Sequence, residues 1–590
     1  MERLETRWRW GVLLFWLGTC AYLVFERWAS IGAFSLGDTD DNMRMMQVRD
    51  LLAGQGWYDL RQYKLNPPFG ADIHWSRLVD LPIAGIKLAL APLIGGAPAE
   101  RVAVAVAPML PMGLAMAAVA VTARRLIAPL AWLPALALLA CGHSVRGMWS
   151  PLRIDHHGWQ LALLALAVAG LTDPRRARGG AILGIATALS LAIGLEMLLY
   201  LALLGAVTAL MWVRDGAEGR RLATYGAALA GGCALGFLLF ASYANRQPVC
   251  DALSPVWLST LVAAGAAGVA LPFLPLGSWP RRLAAGAVAC AMLAAFYVLA
   301  WPNCLGRLEG ASPELVKLWL GNVREARPIY RHGLVVAANV TALPIAGLIG
   351  YGLMMWRSRR DAPRLIQWAA VASPALLAAL LLLWQSRAGP AAQILSVPGA
   401  TAAIWMFGAY FLNHRDMAVR VLGPVAAFLI ISGIGSQWLV GVLPQKERQS
   451  PGMKAVNKAN GLCPTLWALR PVAQQKPGYV LTFVDLGPRL ITVTPHKAVA
   501  GPYHRNGRDI IDTMMAFRGS ADNARAMIAA RRIDYVLICP AMSESTVYMA
   551  EAKDGFYMQL VRGKAPAWLS PVPLPKNSPY RMWRVVTPGN

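Results

Sequence analysis

The sequence predicts a polytopic α-helical membrane protein with about thirteen transmembrane helices and a C-terminal extra-cytoplasmic α/β domain. Three observations support this class. The chain of 590 residues is 56% hydrophobic and only 15% charged, more apolar than a soluble protein of this length. Apolar runs long enough to cross a bilayer recur along it, separated by short clusters of Arg. Residues 443–590 instead show β-like runs around a helical segment, a pattern typical of a small α/β unit.

The net charge of +25 does not indicate a nucleic-acid partner, because the basic clusters are scattered between apolar runs. Such clusters hold short loops in the cytoplasm. The eight cysteines show no CxxC spacing, which argues against a zinc ribbon. Cys250 and Cys304 fall in two different outer loops, and whether they form a disulfide is left open by the sequence.

The first apolar run, from Gly11 to Phe25, follows a basic N-terminus but has no small-residue cleavage site. We therefore expect an uncleaved first helix with its N-terminus in the cytoplasm. Of the next three apolar stretches, 82–96 is short and contains Pro82, Lys87 and Pro92. We place it in the outer interface and count only 102–122 and 126–141 as crossings.

Ten further crossings are predicted at 159–171, 180–194, 197–213, 222–242, 255–274, 283–301, 333–356, 365–384, 391–412 and 420–442. An odd number of crossings places the C-terminus outside. The predicted division is a transmembrane domain over 1–442 and a periplasmic α/β domain over 443–590. Abundant Ala, Arg and Gly are compatible with a high-GC bacterium, so we expect a bacterial inner membrane.

Three long outer loops, 35–80, 142–158 and 302–332, carry the informative charges. In the first loop, Asp38, Asp40 and Asp41 follow the first helix and would repel one another unless an arginine or a metal lay among them. The alternative is a solvated acidic N-cap for a helix that starts near Asn42.

In the second loop, Arg153 and Asp155 precede two histidines in the sequence RIDHHGWQ. Asp155 and His157 are spaced D-x-H, and in an extended segment side chains at i and i+2 point the same way and can share one cation. The alternative is that Asp155 caps the next helix and that the histidines lie at the membrane interface.

Three more charged residues are candidates. Glu325 lies in the third loop, in NVREARPIY, where a solvated salt bridge is the alternative. Glu196 lies in a very short outer turn, where an ionisable group near the membrane is a functional candidate or pairs with an arginine. Arg387 lies in another short outer turn and either binds phosphate bidentately or anchors the helix at the interface.

Together these motifs resemble the oligosaccharyltransferase catalytic subunits of the STT3/PglB/AglB type, which have the GT-C glycosyltransferase fold. DDNMRMMQVRDLLAG resembles that family's first external loop, with Asp40 at the catalytic aspartate. RIDHHGWQ stands where the family has D-x-D or D-x-E, and NVREARPIY has the V-x-E-x-x-P skeleton around Glu325 of the SVSE motif. VLTFVDLGP, PYHRNG and ADNARAMIAARRIDYVLI resemble the outer domain's WWDYG strand and the segments that follow it.

The resemblance implies that Asp40, Asp155 and His157 hold a divalent cation, Mg²⁺ or Mn²⁺, with Glu325 as an optional further ligand. It also implies a catalytic role for Asp40, Asp155 and Glu325. Substrate binding is expected at Arg387, which would contact a lipid-linked phosphate, and at Arg153 and Glu196. Two departures matter: His157 replaces an acidic ligand, and TFVDLG replaces the tryptophan-rich motif that reads a glycosylation sequon, so recognition of a sequon is not predicted.

The expected function is a membrane glycosyltransferase that moves a sugar or glycan from a polyprenyl phosphate or diphosphate to an acceptor on the periplasmic face. The expected partners are the polyprenyl-linked donor, membrane lipid and an unidentified acceptor, without nucleic acid. A P-loop motif GxxxxGK[ST] is absent from the sequence. A lipid or solute transporter or flippase is the main alternative; it predicts repeat-related halves, which the sequence does not show. A non-catalytic membrane scaffold is a third possibility.

Overall fold

The computed structural model describes residues 5–443 and 450–586, and the first part is almost entirely helical. Its helices are α1 (Trp8–Gly32), α2 (Thr39–Leu52), α3 (Asp80–Ile94), α4 (Gly96–Val106), α5 (Met109–Leu126), α6 (Trp132–Cys141), α7 (His143–Gly147), α8 (His157–Leu171), α9 (Arg176–Ile193), α10 (Leu198–Arg214), α11 (Gly219–Phe240), α12 (Pro255–Ala270), α13 (Trp279–Ala300), α14 (Pro313–Leu318), α15 (Leu334–Arg357), α16 (Ala362–Leu381), α17 (Gly389–Leu412), α18 (Met417–Ile431) and α19 (Ile434–Val442).

Within these described residues, nine helices are long and apolar enough to cross a membrane, counting α4 and α5 as one span. The pair α18 and α19 makes a tenth if it is one span bent by 74°. The bend lies at Gly433, which adopts a left-handed conformation with φ of 82°. The prediction of a polytopic helical membrane protein is confirmed.

Every one of the thirteen predicted crossings coincides with a helix or a helix pair. Three of these helices, α6, α8 and α10, have only 10 to 17 residues. Because an untilted crossing needs about 20 residues, the count of thirteen stays a prediction. So does the interfacial position of α3, which covers the stretch expected at 82–96 and is separated from α4 by Gly95.

Close helix contacts in the membrane part depend on small residues. In α15 and α17, a Cβ atom added to Gly350 would lie 2.0 Å from the carbonyl oxygen of Gly399. Glycine therefore lets the two backbones touch, as is usual where transmembrane helices pack without a hydrophobic driving force. Similar contacts join α9 to α11, where a Cβ at Gly180 would lie 2.1 Å from the carbonyl oxygen of Arg221.

The first outer loop is itself folded around a buried ion cluster. Nη1 of Arg44 lies 2.8 Å from Oδ1 of Asp80, and Nη1 of Arg77 lies 3.4 Å from Oδ2 of the same carboxylate. All three side chains are fully buried. Since a buried carboxylate needs such partners, the cluster fixes the middle of α2 against the start of α3.

The C-terminal part is the predicted α/β unit. Its elements are α20 (Pro451–Leu462), α21 (Leu466–Ala473), β1 (Tyr479–Leu481), α22 (Gly487–Val493), β2 (Lys497–Ala498), α23 (Gly507–Arg518), α24 (Ala521–Arg531), β3 (Tyr535–Ile538), α25 (Ser545–Glu551), α26 (Phe556–Val561), β4 (Leu569–Pro571) and β5 (Arg581–Val585). The sheet order is β2-β1-β3-β5-β4, with β2, β1 and β3 parallel and β5 and β4 antiparallel to their neighbours. Its predicted boundary with the membrane part adjoins 444–449, which lie outside the described residues.

Two disulfides lie on the side of the outer loops. Cys250 and Cys304 are bonded, which settles the pairing that the sequence left open. Cys463 and Cys539 form a second disulfide inside the C-terminal domain. The domain's hydrophobic core also takes in Met43, Ile73 and Trp75 of the first outer loop, so loop and domain fold against each other.

Candidate active site

The N-terminus of α2 gathers three carboxylates at one end of the first outer loop. Oδ1 of Asp38 accepts hydrogen bonds from the main-chain N–H of Asp40 at 3.2 Å and from the hydroxyl of Thr39 at 2.9 Å. Asp38 is thus the N-cap, as in the alternative reading of this segment, although the helix begins at Thr39 rather than near Asn42. The cap places Asp40 and Asp41 in the first helical turn.

Arg153 holds these carboxylates together with one from the second loop. Its Nη1 lies 2.5 Å from Oδ2 of Asp38 and 3.4 Å from Oδ2 of Asp41, and its Nη2 lies 2.7 Å from Oδ2 of Asp155. The side chains of Asp41 and Asp155 are fully buried. One guanidinium therefore compensates three carboxylates, which is the arrangement that mutual repulsion among them requires.

Asp155 is oriented by main-chain and side-chain contacts. Its own N–H donates to Oδ1 of Asp41 at 3.0 Å, and its Oδ1 accepts the N–H of His157 at 3.1 Å. Oδ2 of Asp155 also lies 3.2 Å from Nδ1 of His157. The predicted D-x-H pair is therefore in direct contact, and Asp155 bonds the first turn of α8 at the same time. The structure thus contains features of both interpretations: Asp155 contacts His157, and it also accepts a hydrogen bond from the first turn of the next helix.

The segment that carries this pair is held by Trp149. Its indole N–H donates to the carbonyl oxygen of Gly158 at 2.9 Å. A Cβ at Gly158 would lie 2.7 Å from the carbonyl oxygen of Met148. Position 158 consequently needs glycine, and the tight contact fixes Asp155 and His157 at the start of α8.

The carboxyl groups of the cluster titrate differently. Burial raises the pKa of Asp155, but the charges of Arg153 and His157 outweigh it and hold that pKa well below the usual range. Burial and the charges of Asp38 and Asp155 raise the pKa of Asp40 to about 8. Asp155 is therefore ionised at neutral pH, whereas Asp40 mostly keeps its proton until a base or a cation removes it.

Glu196 lies behind the second loop. Its Oε1 is 2.9 Å from Nε2 of His156, and its Oε2 accepts from Nε2 of Gln160 at 2.7 Å. The rings of His156 and His157 stack with centroids 4.4 Å apart. The partner of Glu196 is thus a histidine rather than the arginine that the sequence reading allowed, and it connects this turn to the Asp155–His157 pair.

The C-terminal domain docks directly on the helix that carries the carboxylates. The hydroxyl of Tyr503 donates to the carbonyl oxygen of Thr39 at 3.0 Å. Arg489 Nη1 donates to Oδ1 of Asn42 at 3.2 Å, and the hydroxyl of Thr492 donates to the carbonyl oxygen of Asn42 at 3.1 Å. The Tyr503 contact places the PYHRNG segment against the first turn of α2, and the other two place α22 there.

Asp485, from the TFVDLG segment, also lies close to the cluster. Burial and the charge of Asp38 raise its pKa to about 6. Its main-chain N–H is held by Oε2 of Glu544 at 2.8 Å. The C-terminal domain therefore adds a carboxyl group to the site at the position where the family resemblance has its tryptophan-rich motif.

Glu325 and Arg387 lie on neighbouring exposed turns. The hydroxyl of Ser386 donates to the carbonyl oxygen of Glu325 at 3.3 Å, and the N–H of Ser386 donates to the carbonyl oxygen of Arg327 at 2.8 Å. Both side chains are exposed. The structure thus brings these two predicted residues together, but the contacts of the described residues do not join Glu325 to Asp40 or Asp155.

A second polar cluster was missed by the sequence reading. His74, Asp251 and His504 each offer a ligand atom, and these three atoms lie within 4.8 Å of one another. Among the residues that the structure describes, they form the one group of at least three possible metal ligands with this spacing. Asp251 also forms a bidentate ion pair with Arg505, at 2.6 and 2.8 Å. The three segments are far apart in sequence, and nothing in their local patterns indicates that they meet.

No protein-family model and no curated protein matches the sequence. The fold, however, is similar to that of the oligosaccharyltransferase AglB of Archaeoglobus fulgidus. The structure of that enzyme with an inhibitory peptide and a dolichol-phosphate has a TM-score of 0.69 and 15% identity, and the match covers 93% of this chain and 72% of that one.

Two further structures of the same archaeal enzyme give similar matches. One is tethered to an acceptor peptide that contains the NVT sequon, with a TM-score of 0.69, 15% identity, and coverage of 94% and 72%. The other is a complex with Zn and sulfate, with a TM-score of 0.63, 15% identity, and coverage of 92% and 70%. The chain therefore has a fold of the AglB type, which confirms the predicted GT-C resemblance at the level of architecture.

Proposed function

We propose that this protein is a membrane glycosyltransferase that transfers a sugar or glycan from a polyprenyl phosphate or diphosphate to an acceptor on the periplasmic face of a bacterial inner membrane. One observation carries the proposal. Asp40 is a carboxyl group with a pKa of about 8, placed beside the ionised Asp155 and under the docked C-terminal domain. A carboxyl with such a pKa is suited to accept a proton near neutral pH.

The residues of the site offer donor types that a divalent cation takes, although their ligand atoms do not meet the close spacing found at His74, Asp251 and His504. Asp40, Asp155 and His157 supply two carboxylates and an imidazole. Burial is the main cause of the raised pKa of Asp40, and the negative charges of Asp38 and Asp155, which a cation would offset, add to it. We propose that these three residues hold Mg²⁺ or Mn²⁺. When bound, the cation would supply Lewis-acid stabilisation of the developing phosphate charge.

The chemistry attributed to the chain's own residues is a displacement at the sugar C1. The acceptor's nucleophilic atom bonds to C1 while the bond between C1 and the phosphate oxygen breaks. Asp40 takes the proton of the acceptor, and the polyprenyl phosphate or diphosphate leaves with the electron pair. Asp155, fixed by Arg153 and by the N–H of His157, stays ionised and would be able to ligate the cation.

The donor headgroup is proposed to contact Arg387, Arg153 and Glu196. Arg387 is exposed and offers a guanidinium suited to phosphate. Arg153 and Glu196 would exchange part of their present ion pairs for the headgroup. Glu325, on the turn beside Arg387, is proposed to take part in catalysis.

The disulfides support a periplasmic position of the site, and the apolar helices support its place in a membrane. Both disulfides belong to the outer loops and the C-terminal domain, and disulfides persist in oxidising compartments such as the periplasm. The archaeal enzyme of similar fold was solved with a dolichol-phosphate. A polyprenyl carrier between the helices, with its headgroup at the outer loops, would suit this architecture.

The decisive experiment is turnover of polyprenyl-linked sugars in reconstituted vesicles. We compare the wild type with Asp40→Asn and Asp155→Asn, and use Glu314→Gln, an exposed carboxylate of the third outer loop, as the control. Loss of transfer in the first two variants, with a folded protein and an active control, would support the proposal. A folded wild type that transfers no sugar from any polyprenyl donor tested would refute it.

A further inference from the structure

The second polar cluster joins three separate segments of the chain. His74 belongs to the first outer loop, Asp251 to the loop between α11 and α12, and His504 to the C-terminal domain. Nε2 of His504 lies 2.5 Å from Oδ2 of Asp251, and the ring centroids of His74 and His504 are 4.6 Å apart. Two imidazoles and a carboxylate therefore converge where the membrane part meets the C-terminal domain.

The cluster is largely removed from solvent. The side chains of His74, Asp251 and His504 are 15%, 9% and 14% exposed. Nδ1 of His74 is buried and has no hydrogen-bond partner among the described residues. A buried polar atom without a partner is costly, so this nitrogen needs a ligand that the protein itself does not provide.

We infer that His74, Asp251 and His504 bind a zinc ion that clamps the C-terminal domain to the first outer loop. Two imidazole nitrogens and one carboxylate oxygen are a donor set typical of Zn²⁺, whereas Mg²⁺ and Ca²⁺ prefer oxygen ligands alone. The three ligand atoms are already within 4.8 Å of one another, so small side-chain shifts bring them to coordinating distance.

The surroundings support ligation by these residues. Arg505 donates two hydrogen bonds to Asp251 and would orient this carboxylate without itself touching the ion. The same arginine adds a positive charge, which by itself weakens cation binding. Glu196 offsets that charge from the other side of the ring, because its Oε1 lies 3.9 Å from Nε2 of His74. A water would complete a tetrahedral site.

The zinc site is separate from the carboxylate centre but is connected to it. Glu196 Oε1 contacts His74 on one side and, at 2.9 Å, Nε2 of His156 on the other. His156 in turn stacks on His157. A metal that fixes His74 would therefore also fix the residues behind the Asp155–His157 pair, while the C-terminal domain stays closed over α2.

The test is zinc content measured by mass spectrometry on the purified full chain. The background is the Asp40→Asn, Asp155→Asn double variant, which removes the proposed catalytic metal. We expect one tightly held Zn²⁺ per chain in this background. Adding His504→Gln or Asp251→Asn should reduce the content to near zero, whereas the control His414→Gln, in the loop after α17, should leave it unchanged. Equal zinc content with and without His504→Gln would overturn the inference.

Gln at position 504 keeps an amide donor for Asp251 and is therefore the milder variant. If it nevertheless fails to fold, Co²⁺ bound to the double variant decides the question. A strong tetrahedral visible spectrum, together with a rise in thermal midpoint on adding Co²⁺, would support a site of two histidines and a carboxylate. A weak six-coordinate spectrum or no bound Co²⁺ would refute it. Neither readout depends on sugar transfer, so the zinc site is tested independently of the proposed function.

Discussion

The main-chain N–H of Asp155 donates a 3.0 Å hydrogen bond to Oδ1 of Asp41, which joins two outer loops across 114 residues of sequence. Asp41 is fully buried, and its other oxygen faces Arg153 at 3.4 Å. Its neighbour Asp40 bonds neither Arg153 nor the second loop through any contact of the described residues at hydrogen-bond distance. Adjacent aspartates thus have different tasks: Asp41 holds the loops together, and Asp40 is left for chemistry.

Asp41→Ala should therefore act on stability. The substitution leaves the buried N–H of Asp155 without an acceptor and removes one contact of Arg153, and an unsatisfied buried donor costs about 1–3 kcal/mol. We expect a lower thermal midpoint in detergent, with lost turnover following from misplacement of Asp155. An unchanged midpoint would contradict the assigned role.

Asp40→Asn should act on activity instead. At pH 7 the carboxyl of Asp40 is mostly protonated because its pKa is about 8, so a neutral amide changes little in the folded state. Losing a general base typically costs about 10² to 10⁴ in rate, and we expect a drop of that order in single-turnover transfer. A variant that loses its fold would show that Asp40 is structural, and a folded variant that keeps full turnover would show that Asp40 is not the base.

The pH dependence of metal affinity provides a third test. Burial and the charges of Asp38 and Asp155 raise the pKa of Asp40 to about 8, so below this pH a bound cation must expel a proton. Burial lowers the pKa of His157, a second proposed ligand, but Asp155 outweighs it and raises that pKa to about 9. The affinity for Mn²⁺ should then rise by up to about a hundredfold per pH unit below pH 8, where both protons must leave, and by about tenfold between pH 8 and pH 9. Calorimetric titration in buffers of different ionisation enthalpy measures the released proton.

Asp40→Asn supplies the matched control for that titration. It removes the proton of Asp40 but keeps Asp155 and His157 as ligands. Without metal, the raised pKa of Asp40 also makes the stability of the fold depend on pH. The folded state favours the protonated acid, so the free energy of unfolding falls as pH rises from about 4 towards 8. The variant should show a smaller decline, because burial also raises the pKa values of Asp41, Asp485 and Glu544, which keep their own contributions. A wild-type affinity that does not change with pH would contradict the assignment.

Much of the architecture was predictable because lipid imposes a simple rule on sequence: each crossing needs a long apolar run, and arginines mark the cytoplasmic ends. The limits show where this rule ends. Helices such as α6, with ten residues, are too short for length alone to decide whether they cross. The bend at Gly433 depends on one left-handed residue inside an otherwise continuous apolar segment.

The site was predictable where its residues are close in sequence. Asp155 and His157 meet because a two-residue spacing places them together, and Asp38 caps α2 as its residue type favours. The cluster of His74, Asp251 and His504 depends on how the C-terminal domain docks, which no local pattern records. The contact between Arg153 and Asp38 likewise joins two different outer loops, so the sequence did not predict it.

Arg153 itself can be tested by Arg153→Met, with Arg146→Met in the same loop as control. Removing the guanidinium leaves the buried carboxylates of Asp41 and Asp155 without their cation. Breaking a buried ion pair on one side costs about 3–5 kcal/mol, so we expect a large loss of stability that acidic pH partly restores by protonating the carboxylates. A stable variant at neutral pH would mean that another cation occupies the cluster.

Glu325 and Arg387 test whether the exposed turns take part in the reaction. Both side chains are exposed and lie on neighbouring turns joined through Ser386. Exposed substitutions away from structural contacts change stability by only about 0.5 kcal/mol. Glu325→Gln and Arg387→Ala should therefore keep the thermal midpoint of the wild type. If the turns bind the donor, transfer should fall, with Arg387→Ala raising KM for the lipid-linked sugar through the lost phosphate contact.

Glu314→Gln and Arg331→Ala, both exposed in the third outer loop, are the matched controls and should keep full transfer. Equal kinetics in all four variants would remove Glu325 and Arg387 from the site and leave Asp40, Asp155 and His157 as its centre.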